Sequence, residues 1–461
     1  MTLAVAGIDV GGSSVKAWVH EVGGALLASV TVPTRTLRPA EHRAEFDPAE
    51  WEKACRQALS AAVEQAGPVD YLGVTVSSLR QGFVLLDAAG KVLGPGILNS
   101  DRRGAGHTGV LVGAHELTGH WPAPELTLPK LLAVQADEPD RWAATARVLF
   151  LHDWLLFLMT GVQVTEVSYA CAGAMADVAQ RRWAADLLAA NGIGSALLAP
   201  LVEAGTEIGE LQAGWGLPAQ LPVVAGCGDT QLAAMSVGGL ADGVTTVVAG
   251  SSTPVQAATR SPVRDPLARP WVSTHAAPDL WAAEGNAGYP GAFSGWWSQL
   301  AGEQLVQDPG GVLAVTAAPY WSQATWERKP PASLIGLTPA TTPAQIGRAL
   351  LEAHAFSVAG NVTDLERALG RRSSALVVAG GPGAVQLAPL LAQVLGRNVH
   401  LGGEGGPAAA GTALVAKAVG AHHHAPPLPS LVLPAGEPGA LAVRRERWQQ
   451  VTEALRAALP E

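Results

Sequence analysis

The chain has 461 residues, 48% hydrophobic and 15% charged, with a formal net charge of −9. That length exceeds one ordinary core and predicts two large domains, while the acidic balance, without clustered Lys and Arg, excludes a nucleic-acid surface. No stretch nears the roughly 18 uninterrupted apolar residues of a membrane span. Asp9 interrupts the opening apolar run too early for a secretory signal. The cysteines Cys55, Cys171 and Cys227 lie far apart with no CxxC, so neither disulfides nor zinc are signalled and a cytoplasmic protein is expected.

An apolar strand over residues 3–8 opens the chain, followed by Asp9 and the turn Val10-Gly11-Gly12-Ser13-Ser14. Further strands over 15–20 and 25–32 make this a β-hairpin closed by a Gly/Ser turn. No helix follows the glycines, as a dinucleotide-binding βαβ unit would require, which removes the dehydrogenase reading. Residues 50–65 have the pattern of an amphipathic helix and 71–77 that of a buried strand. Helices and short strands then alternate, the mark of α/β layers. Residues 152–159 and 183–191 read as helical, and 222–225 as a strand entering Gly226-Cys227-Gly228-Asp229. The opening pattern then returns, as a strand over 244–249 runs into Gly250-Ser251-Ser252-Thr253, 239 residues after Gly11. This repeat predicts two related domains, 1–238 and 239–461. A late strand over 375–379 enters Gly380-Gly381-Pro382-Gly383. The Pro-rich stretch 421–438 reads as a surface loop before a last helix over 444–459.

A turn with little side chain lets backbone N–H groups close on phosphate oxygens, and Ser or Thr hydroxyls add donors. Two such hairpin turns, one per half, predict a nucleotide held in a cleft between the domains. A carboxylate beside a phosphate-binding turn calls for an intervening cation, so Asp9, with Asp229, is a candidate Mg²⁺ ligand. Asp229, at a strand end after a Gly-Cys-Gly turn, is placed to accept the proton of a substrate hydroxyl. The competing reading makes both ordinary strand-end or helix-capping aspartates. Gly380 and Gly381 either lie against a nucleoside base or form a structural turn. His422, His423 and His424, in the Pro-rich stretch, read as solvated. Cys227 reads as a small packing residue, and Trp296, Trp297 and Trp321 as lining the cleft or packing in the core.

The order of these motifs resembles the FGGY family of carbohydrate kinases, within the actin/hexokinase/heat-shock-protein nucleotide-binding fold. The resemblance extends to Arg43 through Trp51, to Val84 through Arg103 with its Asp-x-Arg loop, to Thr127-Leu128-Pro129-Lys130-Leu131-Leu132, to Ala332 through Leu337 followed by Gln345 through Glu352, and to Gly380 through Gly411. It implies an α/β fold of two actin-like, ribonuclease H-like domains, each a mixed sheet flanked by helices, and ATP-dependent phosphorylation of a small sugar or polyol. By position it gives Asp229 the catalytic-base role and Asp9 the metal role. Gly11, Gly12, Ser13 and Ser14 take the first phosphate segment, Gly250, Ser251 and Ser252 the second, and Gly380 and Gly381 the adenosine segment. Lys16 follows the first turn as a phosphate contact or a solvated charge. Arg80, Gln81, Asp101 and Thr230 are the expected substrate contacts, with pairing of Arg80 to Asp101 as the alternative for that arginine. Arg80-Gln81-Gly82 and Gly228-Asp229-Thr230-Gln231 resemble the branch of autoinducer-2 and erythritol kinases more than xylulose kinases. A non-catalytic ATP-binding protein of the same fold is the other reading, and the resemblance leaves a homodimer open.

Overall fold

The computed structural model describes residues 2–250, 252–302, 308–316, 332–403, 406–421, 426–437 and 439–458. The chain forms two compact units, Met1–Ser236 with Val272–Trp281 and Pro407–Pro426, and Val237–Trp271 with Ala282–Gly406 and Pro427–Glu461. The first crossing falls beside the boundary expected at 238/239, but two later segments return to the first unit. Packing draws them back. Ala408 and Val415 of the helix Gly406–Ala418 bury against Val5, Trp18 and Val224, and the Val272 N–H donates to Gly119 O at 2.8 Å.

The first unit is built on a six-stranded sheet in the order Glu207–Glu210, Pro222–Gly228, Asp70–Ser78, Leu3–Val10, Ser14–Glu21, Leu26–Pro33. Leu3–Val10, Asp70–Ser78 and Pro222–Gly228 run parallel, and the Leu3–Val10/Ser14–Glu21 hairpin is antiparallel. The apolar run Ala4, Val5, Ala6, Ile8 and Val10 is buried throughout, as a strand covered on both faces requires. Helix Pro48–Ala66 covers one face. Asp47 caps it by accepting from Ala49 N at 2.9 Å, Pro48 starts it, and Gly67, at φ 71°, ends it. Its Trp51, Ala54, Cys55, Ala58, Leu59 and Ala62, three or four residues apart, sink into the core.

The second unit repeats this plan. Six strands of its seven-stranded sheet lie in the order Trp281–Asn286, Pro254–Thr259, Val244–Ala249, Ala375–Gly380, Val399–Leu401, Val432–Leu433. Val244–Ala249 pairs antiparallel with Pro254–Thr259 and parallel with Ala375–Gly380, which pairs parallel with Val399–Leu401. Each pairing has its counterpart in the first sheet, so the repeat at 239 residues is structural. The long helix Pro343–Leu369 backs the sheet, started by a capping box between Thr342 and Gln345.

Three elements differ from expectation. The Pro-rich stretch contributes Val432–Leu433, an edge strand held by pairing with Val399 and His400 that local composition conceals. The last helix begins at Gly439, because Leu441 and Trp448 bury their side chains in the second core. Trp183 lies in the short strand Arg182–Trp183, and the helix runs over Ala185–Ala190. Trp297 packs on the second core and donates to Pro343 O at 3.1 Å, whereas Trp296 is exposed. Trp321 and His422–His424 lie outside the described residues. Among the described residues no helix is long and apolar enough to cross a membrane.

Candidate active site

The carboxyl ends of the three parallel strands bring most of the first unit's candidates to one edge of the sheet, where open α/β sheets bind ligands. Asp9 is the penultimate residue of Leu3–Val10, Arg80 and Gln81 follow Asp70–Ser78, and Asp229 follows Pro222–Gly228. Asp9 stands across the hairpin from Lys16, which is exposed, and beside Ser77 of the neighbouring strand. The Ser77 hydroxyl donates to Asp9 Oδ1 at 2.7 Å. Burial raises the Asp9 carboxyl to about 6, and the Asp229 charge adds to the rise, while Ser77 and Lys16 oppose it. Two carboxylates are thus close enough to repel each other through a poorly solvated edge.

Asp229 is aimed by its glycines. A Cβ on Gly226 would lie 1.9 Å from Val76 O, so only glycine lets the two strands close there. The register then shifts before Gly228, where the chain leaves the sheet and starts the helix Asp229–Met235. The Asp229 side chain keeps 43% of its surface exposed and lies 3.9 Å from Arg80 Nε. The N–H and hydroxyl of Thr230 both donate to Asp229 Oδ1, at 2.7 and 3.1 Å. Thr230, expected against substrate, is buried beside Asp229 with both of its donors on that carboxylate.

Asp101, also expected against substrate, lies in a different setting. It is fully buried, and its oxygens accept from Ala44 N, Arg103 N, Arg103 Nε and Arg103 Nη2 at 2.7 to 3.0 Å. Four donors fill the acceptor capacity of a carboxylate. Burial alone would raise its pKa, but the bonds from Arg103 and Ala44 outweigh that and hold it below the usual range. These bonds tie Asp101 into its own loop, and Arg80 stands beside Asp229.

Gln81 adopts the left-handed conformation at φ 69° without being glycine. Such a residue costs on the order of 1–3 kcal/mol and persists where neighbours impose it. Here the buried Lys130 donates from Nζ to Gln81 O at 2.9 Å and to Leu98 O at 2.8 Å, and Thr127 Oγ1 donates to Gln81 O at 3.2 Å. Burial lowers the Lys130 ammonium to about 7, with Asp101 and Glu125 opposing that fall. A second clamp comes from Val167–Ala172. The Tyr169 hydroxyl accepts from Ser78 N and donates to Cys227 O, both at 2.9 Å, bridging the strand ends that lead to Arg80 and Asp229. Ser168 Oγ accepts from Gly228 N at 3.3 Å and donates to Glu166. Sequence reasoning missed Tyr169, whose partners lie 91 and 58 residues away. Lys130, a lone charge on an otherwise apolar helix face, was the legible signal for the other clamp. Cys227 is buried and its thiol is pushed well above its ordinary range, chiefly by desolvation, which fits a packing role.

The glycines of the first turn have another character. Gly11 and Gly12 avoid the left-handed region; a Cβ on Gly12 would meet nothing within 4 Å, and one on Gly11 only Ser14 O at 3.4 Å. Neither backbone conformation nor crowding requires Gly12. The turn is held by Gly11 N donating to Ser14 O at 2.9 Å, leaving Gly12 and Ser13 exposed. In the second unit Gly250 N donates to Ser252 O at 3.2 Å, and Thr253 Oγ1 bonds Nε2 of the buried His354 at 2.8 Å. Burial pulls His354 down to about 4, so it is neutral there. Ser251 lies outside the described residues. Gly380, at φ 135° and paired with Ala249, must be glycine, since a Cβ would lie 2.5 Å from Ala249 O. Gly381 has open space and precedes the helix Pro382–Leu395, whose first turn has no side-chain cap. Such uncapped N–H groups favour anions.

Two units of one strand order, each with a Gly/Ser turn, and two aspartates at strand ends of the first unit fit a phosphotransferase of the sugar-kinase type. The chain belongs to the FGGY family of carbohydrate kinases: the family's N-terminal domain matches residues 4–236 and its C-terminal domain 245–419. These are ATP-using enzymes that phosphorylate small sugars. The chain is 29% identical to the xylulose kinase of Escherichia coli K12, over 87% of each chain. It is 26% identical to an autoinducer-2 kinase of Salmonella typhimurium, over 86% of this chain and 82% of that one. The solved structure of a xyloylose kinase from Brucella ovis superposes with a TM-score of 0.84 at 27% identity, covering 98% of this chain and 99% of that one.

Proposed function

We propose that the chain transfers the γ-phosphate of ATP to a hydroxyl of a ketose such as xylulose, or of a related polyol, with Asp229 as general base. The observation that carries this reading is the half-exposed Asp229 carboxylate beside Arg80, at the carboxyl end of a parallel strand. Asp229 orients the acceptor hydroxyl and takes its proton, and Thr230 fixes the carboxylate for that task. Arg80 offers a rigid fork of donors to neighbouring substrate oxygens, and Gln81, held in its strained conformation, shapes the same wall. Mg²⁺ fits the pair Asp9 and Asp229, since it is commonly held by one or two carboxylates with water and phosphate completing its shell. When bound it would neutralise phosphate charge and offset both the burial that chiefly raises Asp9 and the Asp229 charge that adds to the rise. Gly11 to Ser14, with Lys16 beside them, take phosphate oxygens on backbone and hydroxyl donors. By the family resemblance Gly250 and Ser252 serve the same nucleotide, and Gly380 and Gly381 its adenosine. Three buried free thiols fit a reducing cytoplasm.

A second substrate reading, a linear autoinducer-2-type dihydroxy ketone or erythritol, draws on Arg80-Gln81-Gly82 and on Thr230-Gln231 after the base. A coupled ADP-release assay with ATP·Mg²⁺ against ketoses, polyols and the dihydroxy ketone separates the two. One compound should stimulate turnover strongly, and Asp229→Ala should lower kcat by about 10²- to 10⁴-fold. Equal turnover by the variant would remove Asp229 as the base. ATP binding with no stimulation by any compound would instead favour a non-catalytic ATP-binding protein.

A further inference from the structure

Far along the chain from the turns and aspartates, the second unit holds a cavity of about 270 Å³ between the helices Pro343–Leu369 and Gly439–Ala457. Three arginines line it: Arg367, Arg445 and Arg456. Its carboxylates are two, Asp364 and Glu453. The acids do not reach these arginines evenly. Asp364 is bound to Arg367 at 3.0 Å, and Glu453 is exposed. Arg445 is half-buried, and its Nε is closed off from solvent with no hydrogen-bond partner. Among the described residues it makes no ion pair.

A guanidinium stays charged at any physiological pH, and holding one partly desolvated without a direct hydrogen-bonded partner is unfavourable. Burial lowers the Arg445 pKa, and the Arg367 charge lowers it further, with Asp364 opposing. Phe356 and Trp448 wall the inner side, with ring centroids 5.8 Å apart. Trp448 is fixed by donating Nε1 to Ala314 O at 2.9 Å. The arginines therefore project from two packed helices with a rigid floor between them. Fork-shaped donors on such a floor match the oxygens of a phosphate group better than a single point charge does.

We propose that this cavity is a second ligand site of the protein, taking the phosphate group of a small phosphorylated metabolite, with Arg445 as its principal anchor. Inorganic phosphate and a phosphate monoester share the chemistry that Arg445 recognises, and the volume allows a short carbon chain beside the phosphate.

Isothermal titration with inorganic phosphate, and separately with glycerol 3-phosphate, tests this on the full chain with Mg²⁺ and a non-hydrolysable ATP analogue saturating the kinase site. The expected result is one further site, weakened at least tenfold in Arg445→Ala and partly restored in Arg445→Lys, with ADP release at saturating substrates within twofold of wild type. Tighter binding of glycerol 3-phosphate than of phosphate identifies the monoester as the preferred source, and equal binding identifies the bare anion. Absence of a further site in the wild type, or equal affinity in Arg445→Ala, overturns the proposal. Should Arg445→Ala fail to fold, Arg445→Gln keeps the side-chain volume while removing the charge and decides the same question.

Discussion

Gly12→Ala separates the fold's demands from the ligand's. On the fold side the cost is near zero: a Cβ there has no neighbour within 4 Å, and the backbone is outside the left-handed region. Replacing glycine at a compatible position stabilises by about 0.4–1 kcal/mol through the unfolded chain, so the melting temperature should rise slightly or stay within about 4 °C. On the ligand side the methyl group occupies the approach to the turn's N–H groups. Losing one hydrogen bond to a charged phosphate costs about 1.5–3 kcal/mol, which is roughly a 10- to 150-fold fall in kcat/KM for ATP at about 1.4 kcal/mol per tenfold. The assay pairs thermal melting with coupled ADP release at varied ATP. Gly226→Ala is the opposite control: its Cβ would sit 1.9 Å from Val76 O, so it should melt markedly lower. A Gly12→Ala enzyme with unchanged melting and unchanged kcat/KM for ATP would refute the assignment of this turn to phosphate.

Other outcomes follow from the clamps and the buried acid. Tyr169→Phe unpairs Ser78 N and Cys227 O, which should cost about 1–3 kcal/mol of stability. Steady-state kinetics should show kcat down at least tenfold with KM for ATP within twofold, because the strand ends leading to Arg80 and Asp229 lose their shared tie. Lys130→Met leaves the Gln81 carbonyl with only its longer bond from Thr127 and should raise KM for the sugar about tenfold or more while leaving KM for ATP unchanged, measured in the same assay. Glu166 is fully buried, and desolvation lifts its carboxyl to about 8 against an ordinary 4.5, with Ser168 opposing. The folded state therefore holds this proton more tightly than the unfolded chain, and that contribution, complete below about pH 4.5, is lost as pH rises through about 8. Melting curves from pH 5 to 9 should show wild type losing stability relative to Glu166→Gln as pH increases; parallel curves would contradict it.

What the sequence revealed about this protein is what short stretches of backbone chemistry determine. A strand, an aspartate and a Gly/Ser turn predict the hairpins, and Gly226-Cys227-Gly228 marks the close strand approach that sends Asp229 out of the sheet. The return of Val272–Trp281 and Pro407–Pro426 to the first unit was not legible, because it depends on packing against residues as distant as Val5 and Trp18. Gln81 gave no sign of its left-handed backbone, since the cause is a lysine 49 residues later. Asp101 and Thr230 show a limit on what residue type alone predicts. A carboxylate or hydroxyl can face a ligand only to the extent that its own fold leaves it acceptors or donors to offer. In the sequence Asp101 and Asp229 each stand at a strand or loop end, Asp101 with arginines beside it and Asp229 with none near. Arg103, two residues from Asp101, closes on it from three nitrogens and leaves it fully buried, whereas Arg80 stands 3.9 Å from an Asp229 that keeps 43% of its side chain exposed. Exposure and donor count, rather than residue type or position, favour Asp229 as the proposed base and leave Asp101 no free acceptor.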